Sequence, residues 1–290
     1  MIKKILFTVL GCAISFNAHA QQAAEAQEPQ SSLRANFKRI SLDLSSTEVK
    51  NADLYQNSSV SALSADGESI VKGVFDFALE YQKADSRWDN SLYMIYGKKK
   101  TKPYDGPNIT NKSDDQILLT TDYAHGIWNY HEAKVGPFVN LGYETNFTTE
   151  NGAARRKIFR GKTGLKLFDG KYFSDLYIAA VGEYDMTYDD NSKFGAEIGM
   201  KAKFPVRDGV DFEVNGYYRE YLAYSKYEYE DLKYDLNAEV RMNVLIVDDW
   251  KLSLSPFAKY RMAESRGAGK AGSNFSIGIS LMFNDIYNIW

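Results

Sequence analysis

The sequence predicts an all-β protein, an antiparallel transmembrane β-barrel of about 12 strands, with roughly 10 or 14 as the alternative counts. Three observations predict it. Apolar residues recur with period two in run after run along the chain. The connections between runs alternate between tight turns and longer loops, the pattern of outer-membrane barrels. Aromatic residues gather near the ends of the runs (Trp88, Tyr96, Tyr143, Phe147, Tyr172, Phe173, Tyr184, Tyr188, Tyr221, Trp250 and Tyr260), where interfacial girdles would lie.

Composition narrows the class further. The chain has 290 residues, with 35 Lys and Arg against 38 Asp and Glu, three His and one Cys. A net charge of −3 offers no broad basic field, so no nucleic-acid partner is expected. The mean hydropathy of −0.42 is compatible with a membrane barrel, because each strand averages an apolar and a polar face. Beyond the N-terminus no apolar run reaches the ~18 residues of a membrane-crossing helix.

Taken in order, residues 1–20 read as a secretory signal. Lys3 and Lys4 form the basic start, residues 5–16 the apolar stretch, and Ala18-His19-Ala20 a small-x-small site cleaved between Ala20 and Gln21. Cleavage removes Cys12, the one cysteine, and leaves 33 basic against 38 acidic side chains, a net charge of −5. The mature chain therefore has no disulfide, thiolate metal site or cysteine nucleophile. Residues 21–33 read as a polar tether, and residues 34–290 as the barrel.

Strands are expected near 36–47, 68–83, 87–98, 115–126, 133–147, 156–168, 172–187, 193–205, 209–223, 231–247, 250–262 and 273–284. In the first, Ile40, Leu42 and Leu44 alternate with Ser41 and Asp43; in the second, Val71, Phe75, Phe77 and Leu79 alternate with Lys72, Asp76 and Glu80. The eighth interleaves Phe194, Ile198 and Met200 with Glu197, Lys201 and Lys203. The tenth interleaves Leu236, Val240 and Val244 with Asp235, Glu239 and Arg241. These runs exceed the usual ~5–6 residues of a strand and suffice to cross a bilayer when tilted. Longer connections fall at 48–67, 99–114, 148–154, 188–192, 223–229 and 263–271, and tight ones at 84–86, 169–170, 206–209 and 248–249. Residues 126–132, with Trp128, Tyr130 and His131, make a looser member of the tight set. Residues 58–63 could add further strand.

The segment Trp88-Asp89-Asn90-Ser91-Leu92, followed by Tyr96-Gly97, Asp114-Asp115 and the strand 118–123, resembles the uncharacterised Gram-negative outer-membrane barrels grouped as domains of unknown function. The resemblance covers residues 68–147 and implies the fold and the outer-membrane location, with no catalytic residues to carry over. The terminal Trp290 is similar to the signal that the barrel assembly machinery recognises. Apolar parity holds through Phe283 and shifts at Ile286, Tyr287 and Ile289, which suggests a bulge or a short tail.

No catalytic, metal or cofactor motif is present: G-x-S-x-G, H-E-x-x-H and phosphate-loop patterns are all missing, so no enzyme activity and no cofactor is expected. His125 shares parity with Leu119 and Tyr123 and is expected at the lipid interface, and His131 in the looser turn; neither has an evident Ser or Asp partner in sequence. Lys98, Lys99, Lys100 and Lys102 are expected in a surface loop as a solvated charge run, with binding of lipopolysaccharide phosphate as the alternative. The inward face carries the function. Arg160, Lys162, Lys166, Lys201, Lys203, Arg219, Arg241, Lys259 and Arg261 are expected to line the lumen opposite Glu183, Glu213, Asp235 and Glu239, with Asp175, Asp185 and Asp211 on the same side. That pattern suits a narrow channel for small charged or polar solutes, or a structural surface protein with a self-neutralised interior. The alternatives are a membrane-embedded hydrolase acting on lipid and a secreted soluble β-protein. Expected partners are outer-membrane lipid, lipopolysaccharide and the barrel assembly machinery. Finally, a hairpin centred near residues 226–227 should place Arg219 opposite Asp235 and Glu213 opposite Arg241, because a one-residue slip sends these charges into lipid.

Overall fold

Each alternating run becomes one strand, and consecutive strands pair as antiparallel hairpins. The computed structural model describes residues 31–55, 60–63, 67–101, 109–149, 154–187 and 190–290. The signal cleavage site at Ala20 and Gln21, residues 21–30 of the tether, Lys102 and Tyr188 lie outside the described residues. The strands are β1 (Ser31–Lys50), β2 (Gly67–Lys83), β3 (Ser86–Thr101), β4 (Ile109–His125), β5 (Trp128–Tyr130), β6 (Ala133–Thr145), β7 (Ile158–Phe168), β8 (Phe173–Asp185), β9 (Asn191–Arg207), β10 (Val210–Tyr224), β11 (Leu232–Val247), β12 (Leu252–Ser265) and β13 (Gly272–Asn288). The first strand pairs with the last, and β4 pairs with β6, so the sheet closes.

The barrel has twelve staves although thirteen strands are present. β4 pairs with β6 as far as Ala124 opposite Phe138, and β5 resumes with Trp128 opposite Val135. Four residues on one side match three on the other, so β5 is the same stave continued past a bulge. Gly136 makes room for it: a Cβ there would stand 1.8 Å from the His125 carbonyl oxygen. The turns at this end of the barrel are tight and use left-handed residues, with positive φ at Ala84, His131, Asp169, Gly209 and Lys251.

Side-chain facing follows parity. Ile198, Ile178, Ile277 and Leu222 stand exposed on the outside, while Glu197, Glu183, Asp235 and Arg241 are buried inside. A continuous exposed apolar belt of this kind is far larger than a water-soluble monomer carries, and it matches the hydrocarbon slab. Its height agrees. From Phe173 to Tyr184 the strand runs about 36 Å at ~3.3 Å per residue, or about 27 Å when tilted ~40°, close to the ~25 Å apolar band of membrane barrels. Replacing Ile198 by lysine should therefore lower unfolding stability in lipid vesicles by about 2–4 kcal/mol. A change below ~0.5 kcal/mol in urea titration would mean that this face does not meet hydrocarbon.

Several expectations need correction. Residues Ser31 to Leu33 of the expected tether belong to β1, and Leu33 exchanges backbone hydrogen bonds with Ile289 and Trp290. The terminus is thus paired to its end and forms no tail. The parity irregularity sits in β1, where pairing with β13 shifts between Phe37 and Ile40. Tyr287 stays outside and packs edge-on against Phe37. Tyr221 faces inward and leaves the aromatic girdle, because its odd parity on β10 matches that of Tyr217 and Arg219. Lys98, Lys99 and Lys100 extend β3, which continues past the apolar belt in a hairpin with β4. Ser61–Leu63 is a 3-10 turn and adds no strand.

Candidate functional site

The loop after β1 supplies a cap at the long-loop end. It carries 3-10 turns at Ala52–Tyr55 and Ser61–Leu63, and Tyr55 and Leu63 are fully buried against Tyr221, Leu232 and Ala263 on the inner wall. The Tyr55 hydroxyl donates to the carbonyls of Lys270 (2.6 Å) and Ala263 (3.1 Å). Gly272 is what admits the ring, since a Cβ there would lie 2.7 Å from it. Asn274 fixes the second turn by donating to the Ala62 carbonyl at 2.7 Å.

Below the cap runs a polar cavity of about 460 Å³. Its lining includes Val60 and Ala62 of the cap and, at the tight-turn end, Arg87 and Asp175. Twelve basic and eleven acidic side chains face it, so the wall is almost neutral. Confined charges are costly unless paired, and here most are paired through bifurcated acids.

Toward the loops, Glu144 receives Arg156 (2.8 Å) and Arg160 (3.4 Å). Glu183 receives Arg160 (2.7 Å) and Lys193 (3.3 Å), and Lys193 also meets Asp231 (2.7 Å). At mid-depth Glu197 takes Lys162, Tyr177 and Arg219, each at 2.5 Å. Asp235 takes Arg261 (2.8 Å) and the Tyr217 hydroxyl (2.7 Å). Glu239 takes Arg241 (2.9 Å) and Arg39 (3.2 Å), while Arg39 also pairs with Asp43. Arg241 reaches Ser280 at 2.6 Å. Toward the tight turns, Lys166 pairs with Asp122 (2.5 Å) and Asp175 (3.4 Å), and Arg87 with Asp175 (2.5 Å) and Asp169 (3.0 Å). An apolar group of Ala124, Phe138, Phe168 and Ala179 narrows this end, with the Lys166 ammonium 4.6 Å above the Phe138 ring. Lys203 meets Asp211 (3.1 Å) and Glu213 (3.6 Å) with half its side chain exposed. Lys201 and Lys259 line the cavity beside these groups.

The register of the ninth hairpin follows the sequence argument, with Arg219 opposite Asp235 and Glu213 opposite Arg241. The bonds do not. Arg219 also stands opposite Glu197 on β9, and Glu213 opposite Lys203, and the side chains turn that way. Asp235 is held by Arg261 and Tyr217, and Arg219 turns to Glu197, which it shares with Lys162 and Tyr177. Glu197 is the central residue that sequence reasoning left out; its parity with Lys201 and Lys203 was the available sign. Arg39, Asp43, Arg87, Asp122, Glu144 and Lys193 were also left out.

His125 faces outward at the tight-turn end, and His131 packs its ring on Tyr130 in the turn. His125 does have a serine partner. Ser86 Oγ lies 2.9 Å from its Nδ1, because β3 and β4 bring the two residues opposite each other. Tyr123 shares the same hydroxyl at 3.2 Å, and among the described residues no carboxylate orients the imidazole. A nucleophile–base pair needs that third group, so the contact carries no catalytic assignment. No cluster of three or more His, Cys, Asp or Glu among the described residues is placed to hold a metal ion.

Comparison with known proteins adds the following. Residues 55–150 match the model of a family described as a protein of unknown function (DUF3078). No curated protein matches the chain in sequence. Among solved structures, the outer membrane channel DcaP of Acinetobacter baumannii is 8% identical over 92% of this chain and 100% of its own, with a TM-score of 0.45. The outer membrane phospholipase of Salmonella typhi, solved as a calcium-bound dimer, is 13% identical over 90% and 94%, at 0.44. The translocator domain of the autotransporter NalP from Neisseria meningitidis is 9% identical over 97% and 95%, at 0.32. Similarity this low bears on neither activity nor substrate.

Proposed function

We propose that this protein is an outer-membrane channel, a narrow conduit for small charged or polar solutes. The observation that carries the proposal is a polar cavity that touches both the cap and the tight-turn end of the barrel. A wall of alternating acids and bases exchanges water for protein partners along the path, which is how a charged solute crosses a confined space at tolerable cost. The apolar belt and its aromatic ends support the membrane setting over a secreted soluble protein. Outer-membrane lipid and lipopolysaccharide surround the barrel in this reading, and the assembly machinery engages β13 and the Trp290 that follows it.

A second reading has one observation in its favour. The density of ion pairs between Glu144, Glu183, Glu197 and their basic partners would also suit a closed barrel with a structural role at the surface. Conductance separates the two. The purified barrel in a planar bilayer should show discrete, small single-channel steps in potassium chloride. Silent membranes from protein that inserts and folds would overturn the channel and favour the closed barrel.

A further inference from the structure

Two pairs of cations stand on the outer surface at the long-loop end of the barrel. Lys98 and Lys100 are exposed on β3 with the outward parity of Tyr96, and the unbroken register with β2 sets Lys98 beside the exposed Val71. Arg155 and Lys157 are exposed at the entry to β7, and Lys157 stands two residues before the outward Phe159. Among the described residues no carboxylate comes within ion-pair distance of any of the four. By contrast Lys112, opposite Lys98 on β4, is neutralised by Asp115 at 3.0 Å, and Lys233 by Glu264 at 2.5 Å. Contacts tie the two pairs together. The Tyr96 and Phe147 rings meet edge-on at 6.0 Å, and Arg155 donates to the Phe147 carbonyl at 3.2 Å. Aromatics of this kind mark the edge of the hydrocarbon, so the cations beside them lie at the depth of lipid phosphates.

Below the cations the outer wall is grooved. Phe77, Leu92, Leu119, Tyr143 and Phe159 are successive partners across β2, β3, β4, β6 and β7, and they line an apolar groove of about 500 Å³. Thr121 and Gly142, also in its lining, are small and leave it open. Tyr143 and Phe159 lie near the long-loop ends of β6 and β7, whereas Phe77 and Leu92 are mid-strand. The groove therefore descends from a point just beneath Lys157 into the belt. Six residues separate Leu92 from Lys98 along β3, about 20 Å at ~3.3 Å per residue, or about 15 Å of depth at a tilt of ~40°. That is half of the ~30 Å hydrocarbon core, the reach of one leaflet's chains.

We infer that this face binds the phosphorylated glycolipid anchor of lipopolysaccharide, its phosphates on Lys98–Lys100 and Arg155–Lys157 and an acyl chain in the groove. The inference rests on the outer-membrane setting proposed above, with the long loops turned to the lipopolysaccharide leaflet, and not on conduction. Charge and shape select the class together. Unpaired cations at the hydrocarbon edge attract an anion, and phosphate oxygens accept from ammonium and guanidinium alike. The two cation pairs have β4 and β6 between them, three strand spacings or about 14 Å along the sheet, which suits a headgroup with phosphates on separate sugars. A free anion would use the cations and leave the groove without an occupant. An uncharged lipid would fill the groove and leave the cations uncompensated. A phosphorylated, multiply acylated lipid answers both.

The test is native mass spectrometry of the full barrel in detergent micelles, titrated with rough lipopolysaccharide and with the same glycolipid stripped of phosphate. The intact glycolipid should bind about tenfold more tightly than the stripped one, and inorganic phosphate should not displace it. Lys98→Gln with Lys100→Gln, and Arg155→Gln with Lys157→Gln, should each weaken it about tenfold, and Thr121→Phe should weaken it by filling the groove. Lys251→Gln, at the tight-turn end, should change nothing. Each variant is first checked for folded migration on a gel. Equal binding of the intact and stripped glycolipids, displacement by inorganic phosphate, or an equal loss from Lys251→Gln would overturn the site. Cell fractionation reads the setting separately. Recovery in the outer membrane without glycolipid binding keeps the setting and loses the site; recovery in a soluble fraction overturns both.

Discussion

In the channel reading, replacing Tyr55 by alanine should raise single-channel conductance several-fold while leaving the unfolding midpoint of the barrel nearly unchanged. The ring fills the space beside Gly272, and its hydroxyl ties the loop to the carbonyls of Ala263 and Lys270. Truncating a buried aromatic costs about 3–5 kcal/mol where the lost contacts are made. Here that cost falls on the docking of the cap and on the loop end of β12, where the Tyr55 hydroxyl accepts from the Ser265 amide and donates to the Ala263 carbonyl; the remaining strand pairs of the wall are untouched. Released, the cap no longer narrows the mouth between Tyr221, Leu232 and Ala263. Proteolysis of the loop shows whether the cap has been freed. A freed cap with unchanged conductance would mean that the constriction lies elsewhere, at Phe138 and Phe168.

The second large effect is on stability. Glu197→Ala should destabilise the barrel by about 3–5 kcal/mol, because it strips the shared acceptor from buried basic groups. The Glu197 side chain is wholly enclosed, and Lys162, Tyr177 and Arg219 converge on it. Arg219 would remain between the rings of Tyr217 and Tyr221 with its counter-charge gone. Removing both charges, as Glu197→Gln with Arg219→Gln, should recover part of the loss, since no uncompensated charge is then confined. Urea unfolding from vesicles measures each variant. A loss below ~1 kcal/mol for Glu197→Ala would show that lumen water solvates these charges as well as the protein does.

The barrel was legible in the sequence because a membrane enforces parity. From β7 to β12 the apolar and polar faces alternate through the middle of each strand, with register shifts confined to the strand ends, and Arg160, Lys162, Glu183, Lys201, Arg219, Asp235 and Lys259 could be placed on one side by counting. The first half of the chain resisted the same count. The shifts between Phe37 and Ile40 and between Gly97 and Lys98 reverse parity within a strand, so that Phe37 faces out and Arg39, two residues on, faces in. Pairing partners were harder still. Arg219 has an acid opposite it on each neighbouring strand, and parity alone does not say which one it takes. The cap was invisible to periodicity, since Tyr55 and Leu63 sit in 3-10 turns. The Ser86–His125 contact required the register of two strands at once.

The seam between β1 and β13 sets the order of events in folding. Eleven of the twelve staves can zip to a neighbour as the chain extends, each hairpin closing a loop of a few residues to about twenty. The seam joins Ser45 to Gly278 and Leu44 to Ile279, so its closure brings together residues more than 230 positions apart. Loop-closure entropy for that span is about 5 kcal/mol, and none of it is recovered until the final strand is in hand. A nascent chain lacking β13 therefore carries two long unpaired edges, one of them β1 with Ile40, Leu42 and Leu44 exposed along it. Such an intermediate invites pairing with other chains, and its lifetime is governed by how soon the last strand arrives. Deletion of the final strand should accordingly turn a folding problem into an aggregation problem, and a supplied β13 peptide should compete with that aggregation by occupying the open edge.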